Sequence, residues 1–275
     1  EMVAEIGGQT HTTVHYTTKS GGKKKRTHHH TACNTDQNYM YKMILSEFGP
    51  TGCKDIGTFQ VPFEITLPEN APPSVHVPQK GRNSGAISHL VAVSVKIKNK
   101  KYYVHSVPFQ VSSVVKHPIV PTVVKDTQKV IYMCCINRGF MSISGKLDKN
   151  AYYPGETAQI TYEVENNSSV PIDEVRIELT SKVVCRAGTR SFTRYHTLPG
   201  VSAGSVPPKT TFSNNRVGIT GSNTNAPSGP ARVLTYEIPP QCEYPTVSVP
   251  SMEVTYMFRI RCQTSSMHTN PLVEM

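Results

Sequence analysis

Tryptophan is absent from this chain of 275 residues, and long apolar runs are absent with it. No stretch approaches the roughly 18 consecutive apolar residues of a membrane-spanning helix, so that kind of segment is excluded. No basic start followed by an apolar core opens the sequence, and no secretory leader is legible. Paired metal-ligand cysteines are missing too. The seven cysteines (Cys33, Cys53, Cys134, Cys135, Cys185, Cys242, Cys262) are odd in number and contain no Cys-x-x-Cys. A secreted disulfide framework needs an even set, and a zinc site needs ligands two to four residues apart. The thiols are therefore expected to be mostly reduced and intracellular, with adjacent Cys134 and Cys135 on a strand that buries one of them.

Catalytic signatures are equally lacking. There is no Gly-x-Ser-x-Gly elbow, no glycine-rich phosphate loop before a helix and no His-Glu-x-x-His. Consecutive His28, His29 and His30 point to alternating faces of a strand and cannot share one ion. His11 and His15 share a face but stand about 13 Å apart at the rise of an extended chain. The chain reads as non-enzymatic, without cofactor or metal.

What is present is strand-forming sequence punctuated by 21 prolines and 18 glycines. Phe59, Val61, Phe63, Ile65 and Leu67 alternate with polar residues, and Pro62 marks an edge or a bulge. Pro68 to Ser74 is read as an extended loop. Val91, Val93, Val95 and Ile97 share one face of a strand over 86–98, which turns near Asn99 and returns through Tyr103 to Val111. Asp36 to Phe48 suits a helix or a strand. Residues 113–139 read as an irregular passage between domains, and 187–230 as long surface loops. Strand signals resume at Met141–Leu147, Val175–Leu179, Val233–Ile238 and Met252–Ile260. The expected core includes Phe63, Ile65, the Val91 face, Phe109, Ile143, Leu147, Ile160, Tyr162, Val164, Ile177, Leu179, Tyr256 and Phe258.

The most informative stretch is Gly145 to Ser169. A Pro154-Gly155-Glu156 turn feeds a strand in which Ala158, Ile160, Tyr162 and Val164 face one way, and Glu165-Asn166-x-Ser168 ends it. This succession resembles the second domain of arrestins. The series of Phe59 and Phe63, Leu67-Pro68 and Pro72-Pro73-Ser74 within 57–112 resembles the later part of their first domain. Within that superfamily the chain is most similar to the α-arrestins. The resemblance implies an all-β protein of two immunoglobulin-like sandwiches, an N-terminal-like domain over 1–117 and a C-terminal-like domain over 118–275. It also implies an adaptor in membrane-protein trafficking, endocytosis and ubiquitin-linked transport, with membrane-protein cargo and a place in the cytoplasm at the plasma membrane or endosomes. α-Arrestins recruit HECT-type ubiquitin ligases through Pro-Pro-x-Tyr. Here the Pro-Pro pairs precede Ser74-Val75, Lys209-Thr210 and Gln241-Cys242, so such a motif is expected only outside this chain.

Positive charge predominates, at +10, and is densest at Lys23, Lys24, Lys25 and Arg26. These four are candidates for contact with anionic lipid or phosphorylated cargo; a solvated loop is the simpler alternative. No aromatics interleave to stack bases and no helix is available for a groove, so nucleic acid is not an expected partner. Two other functions fit a β-sandwich chain: a retromer-type arrestin-fold coat subunit and a secreted adhesion module, the latter suited by the sequons at Asn166 and Asn167. Only about 56 residues precede the Phe59 element, so the first sandwich is expected to be partial, with unpaired edges and a thin core.

Overall fold

A computed structural model describes residues 2–20, 26–46, 62–80, 82–97, 100–113, 118–133, 135–213, 217–219, 234–240, 242, 244–265 and 267–275. Among them the regular structure is strand throughout, as the alternating pattern requires. Two units divide the chain: Glu1–Val114 with Val183–Arg194 and Tyr244–Thr255, and Val115–Lys182 with Tyr195–Glu243 and Tyr256–Met275.

In the first unit, β1 (Met2–Ser20) and β2 (Arg26–Ser46) form a long hairpin, followed by β3 (Val75–Lys80), β4 (Asn83–Ile97) and β5 (Lys100–Phe109). Their sheet runs β2-β1-β4-β3, with β5 also on β4. Asp36 to Ser46 is thus strand, and so are His28 to His30. Residues 183–187 of a later strand lie against this sheet. Thr12 Oγ1 donates to the Arg186 carbonyl at 2.6 Å, and a Cβ on Gly85 would stand 2.7 Å from the Cys185 sulfur. Glycine is required there for the two layers to approach. Val14, Val77 and Ile87 are buried in this contact region.

At the other end of the sheet, cover is thinner. Val91, Val93, Val95 and Phe109 share the inward face yet are only half-buried, and Met40, Tyr41, Ile44 and Val107 are exposed. The expectation for Phe63 fails. Residues 62–67 carry no sheet ladder, and Phe63 is 41% exposed, because without pairing its alternation has no buried face to serve. Phe59 and Val61 lie outside the described residues, and Ile65 is half-buried.

An aromatic row crosses the middle of this sheet. Tyr39, Gly8, His89 and Phe109 are in register across four strands. A Cβ on Gly8 would fall 2.5 Å from the Tyr39 ring, so the glycine leaves the gap in which Tyr39 and His89 stack with centroids 5.6 Å apart. The Tyr39 hydroxyl and His89 Nδ1 are 2.8 Å apart, while Nε2 is buried without a hydrogen-bond partner among the described residues.

The remaining strands are β6 (Thr122–Tyr132), β7 (Ile136–Leu147), β8 (Thr157–Asn166), β9 (Ile172–Ala187), β10 (Arg190–Thr197), β11 (Val201–Val206), β12 (Thr210–Ser213), β13 (Val217–Ile219), β14 (Leu234–Glu237), β15 (Val247–Val249), β16 (Met252–Gln263) and β17 (Leu272–Glu274); all of β15 and parts of β9, β10 and β16 belong to the first unit, the rest to the second. One sheet runs β13-β12-β8-β7-β6 with β14 on β8; the other runs β10-β9-β16-β15 with β11 and β17 at their sides. The inward faces meet in one core that includes Ile143, Leu147, Ile160, Val164, Ile177 and Phe258, with Tyr162 and Leu179 buried and Tyr256 packed partly buried against it.

Three further expectations are corrected. Residues 122–132 form a regular strand instead of an irregular passage. β6 is an edge strand whose Val123 is exposed and whose full burial is confined to Val130, so it lacks a continuous apolar face. Residues 190–219 hold four short strands where loops were expected. β10 is exposed along most of its length, and strands without a buried face show no apolar period. Cys135 lies exposed in the β6–β7 turn, not on a strand, and Cys134 is outside the described residues.

Burial lowers the His89 pKa below its ordinary 6.5, with the Pro72 carbonyl acting weakly in the opposite sense. The folded state therefore binds fewer protons than the unfolded chain as pH falls through 6.5, and stability drops in that window. Urea unfolding followed against pH checks this: His89→Leu is expected to flatten the slope below 6.5, and an unchanged slope contradicts the assignment.

Candidate functional site

Proline fixes the first half of the Tyr153–Glu156 turn, and Gly155 completes it in the left-handed region at φ +85°. The Tyr153 amide donates to Glu156 Oε2 at 2.8 Å, and Lys149 Nζ reaches the same oxygen at 3.0 Å. Together they hold the Glu156 carboxyl below its usual range, the backbone amide contributing most. The turn is pinned to the end of β14: the Gly155 amide donates to the Ile238 carbonyl, and the Ile238 amide donates to that of Glu156. Beside it, the Tyr152 hydroxyl donates to Asp148 Oδ1 at 2.7 Å. Burial and this bond raise the phenol pKa.

At the other end of β8, Asn166 is fully buried at 0% exposure. Its amide nitrogen donates to the carbonyls of Val170 at 2.9 Å and Pro207 at 3.1 Å, with Val206 at 3.5 Å. Its oxygen accepts from the Ser168 amide at 3.1 Å and the Ser168 hydroxyl at 2.6 Å. One side chain thereby satisfies backbone groups of two loops that have no ladder. Glu165 Oε1 accepts from Asn167 Nδ2 at 2.7 Å. Gly139, at φ +116°, passes beneath: a Cβ there would meet the Asn167 carbonyl at 2.7 Å. Pro154, Gly155, Glu156, Glu165, Asn166 and Ser168 thus sit at the two ends of one strand and act on its connections.

Family comparisons agree with this architecture. The model described as "Arrestin (or S-antigen), N-terminal domain" matches residues 1–118. That described as "Arrestin (or S-antigen), C-terminal domain" matches 137–275. The chain belongs to the arrestin family. Among curated relatives, "Beta-arrestin-2" of Rattus norvegicus and of Mus musculus are each 26% identical over 131 residues, which is 46% of this chain and 32% of each relative. The chain thus aligns with about a third of the length of the curated relatives it matches.

In this arrestin-family chain the candidate anionic-contact residues Lys23, Lys24 and Lys25 lie outside the described residues, as does the side chain of Arg26, whose backbone begins β2. The hairpin leading to them is described. Tyr16, Thr18 and Ser20 face His30, His28 and Arg26 in register. His30 stacks on Tyr16 at 5.1 Å, and the Arg190 guanidinium lies 4.2 Å over the same ring. His28 and His30 bond the hydroxyls of Ser20 and Thr18 at 3.0 and 2.8 Å. Cationic and hydroxyl groups therefore share one strand face. Arg190 comes from a distant strand that no local sequence pattern links to Tyr16.

No group of three or more metal-ligating side chains stands together among the described residues. The buried thiols Cys185 and Cys262 are pushed by desolvation up to about 11 and about 12, which makes them inert. No helix of the described residues is long and apolar enough to cross a membrane. Asn166 is closed to glycan attachment in the folded chain because its nitrogen is buried and bonded.

Removing the Asn166 side chain leaves buried carbonyls unpaired. Asn166→Ala is expected to destabilise the chain by about 3 kcal/mol, and Ser168→Ala by about 1–2 kcal/mol. Urea midpoints for the two variants check this, and a loss for Asn166→Ala within about 0.5 kcal/mol contradicts it.

Proposed function

We propose that this chain is the cargo-binding body of a non-enzymatic, α-arrestin-like adaptor in membrane-protein trafficking. The observation that carries the reading is the match of both arrestin domains along the chain, reinforced by the Pro154–Glu156 turn and the buried Asn166 of the arrestin second-domain pattern. The exposed strands and loops of a sandwich suit binding over an extended area.

In this reading Lys23, Lys24, Lys25 and Arg26 form a cationic tip that meets acidic headgroups or phosphorylated cargo. Lys19 on the adjoining hairpin and Arg190 of β10, which lies over Tyr16, support it by extending the same charge. Recruitment of a HECT-type ligase would depend on a Pro-Pro-x-Tyr segment outside this sequence, and links the chain to ubiquitin-dependent transport at the plasma membrane or endosomes.

Basic residues at an anionic surface contribute about 1 kcal/mol each, so four supply about 4 kcal/mol. Replacing all four by Ser is expected to weaken binding to phosphatidylserine vesicles by at least about a hundredfold at low salt, with the difference shrinking as salt screens the charges. Vesicle co-sedimentation measures this, and equal binding by the parent and variant chains contradicts the assignment.

A further inference from the structure

Among the described residues β2 is paired only with β1, so its far edge presents backbone N–H and C=O groups that have no ladder partner. Such edges are ordinarily blocked by proline, lysine, a bulge or brevity. Between Thr27 and Gln37 none of these devices is present. The register with β1 runs without a shift from Lys19↔Thr27 to Gln9↔Gln37, and the bulge falls beyond it, at Gly8/Gln9.

The side chains of this stretch complement one another when it is run antiparallel to itself. With Cys33 opposite Cys33, Asp36 of each copy lies across from His30 of the other. Thr31 lies across from Thr35, and His28 across from Asn38. Asp36 is the sole acidic residue of β2, and the basic end of the strand is what it would meet. Asp36 and His30 project from the same face, since their partners on β1 are Thr10 and Tyr16. Asp36 Oδ1 accepts from Asn34, and Oδ2 is buried without a partner among the described residues. Carboxylate–imidazole and Thr–Thr pairs directly across a ladder are both favourable.

We propose that β2 pairs antiparallel with β2 of a second copy about a two-fold axis at Cys33, continuing one sheet into the next. The contact is isologous: each copy gives the other the same edge. It is independent of the adaptor reading and of the cationic tip.

Sedimentation velocity of the full 275-residue chain from about 1 to about 100 μM tests association. Dimer is expected within this range. His30→Asp, which sets a carboxylate against Asp36, is expected to weaken the dimer at least about tenfold. The exchange His30→Asp with Asp36→His is expected to restore it. A short bismaleimide applied to a chain carrying Cys53→Ser, Cys134→Ser and Cys135→Ser is expected to join Cys33 to Cys33; this arm decides the matter if the charge variants do not fold. A monomer at every concentration overturns the proposal. So does a dimer that yields no Cys33 cross-link.

Discussion

The buried amide of Asn166 is the contact on which the second unit depends. β8 lies between β7 on one side and β12 and β14 on the other, so both of its ends must be connected without exposing core. At its C-terminal end the chain leaves the sheet inside the sandwich, where water cannot satisfy the loop carbonyls. Asparagine carries a two-hydrogen donor and a two-lone-pair acceptor on one short side chain, and here both halves are used. Aspartate would offer no donor, and serine no second reach. That requirement explains why Glu165-Asn166-x-Ser168 stands where β8 ends.

The two units differ in how their sheets are covered. In the second, paired inward faces enclose a continuous core, from Met141 and Ile143 on β7 to Phe258 and Ile260 on β16. In the first, close packing is concentrated where Gly85 admits Cys185, and the Val91–Val95 face is half-covered. The pair of half-buried Tyr39 and buried His89 sits near this change, over the gap left by Gly8. Side chains that are only half-buried contribute proportionally less than the roughly 1.5–3 kcal/mol of a fully buried one, so the first unit rests more heavily on its ladders.

The legible parts of the fold were those where one strand face is buried and the other wet. Ala158 to Val164 and Met252 to Ile260 alternate because the core takes every second side chain, and their reading carried the fold class and the family. Phe63 and Ile65 show the same alternation without a ladder, since periodicity reports a chemical pattern and not a hydrogen-bonded neighbour. β10 and β11 escaped notice for the opposite reason: they are paired, but little of them is buried. The signature residues were found from their order alone, whereas their physical role in bonding Val170, Val206 and Pro207 was not, because those partners are set by tertiary folding. The same distance hid the placement of Arg190 over Tyr16.

Hydrogen exchange at the Asn166 side chain tests the central claim most directly. In a nitrogen-15 spectrum of the folded chain, the two Asn166 amide protons should appear as a widely split pair that persists in deuterated water on the timescale of the β8 backbone amides. Exchange as fast as that of an exposed asparagine such as Asn137 would show that the amide is open to solvent, and would contradict its role in closing the sandwich.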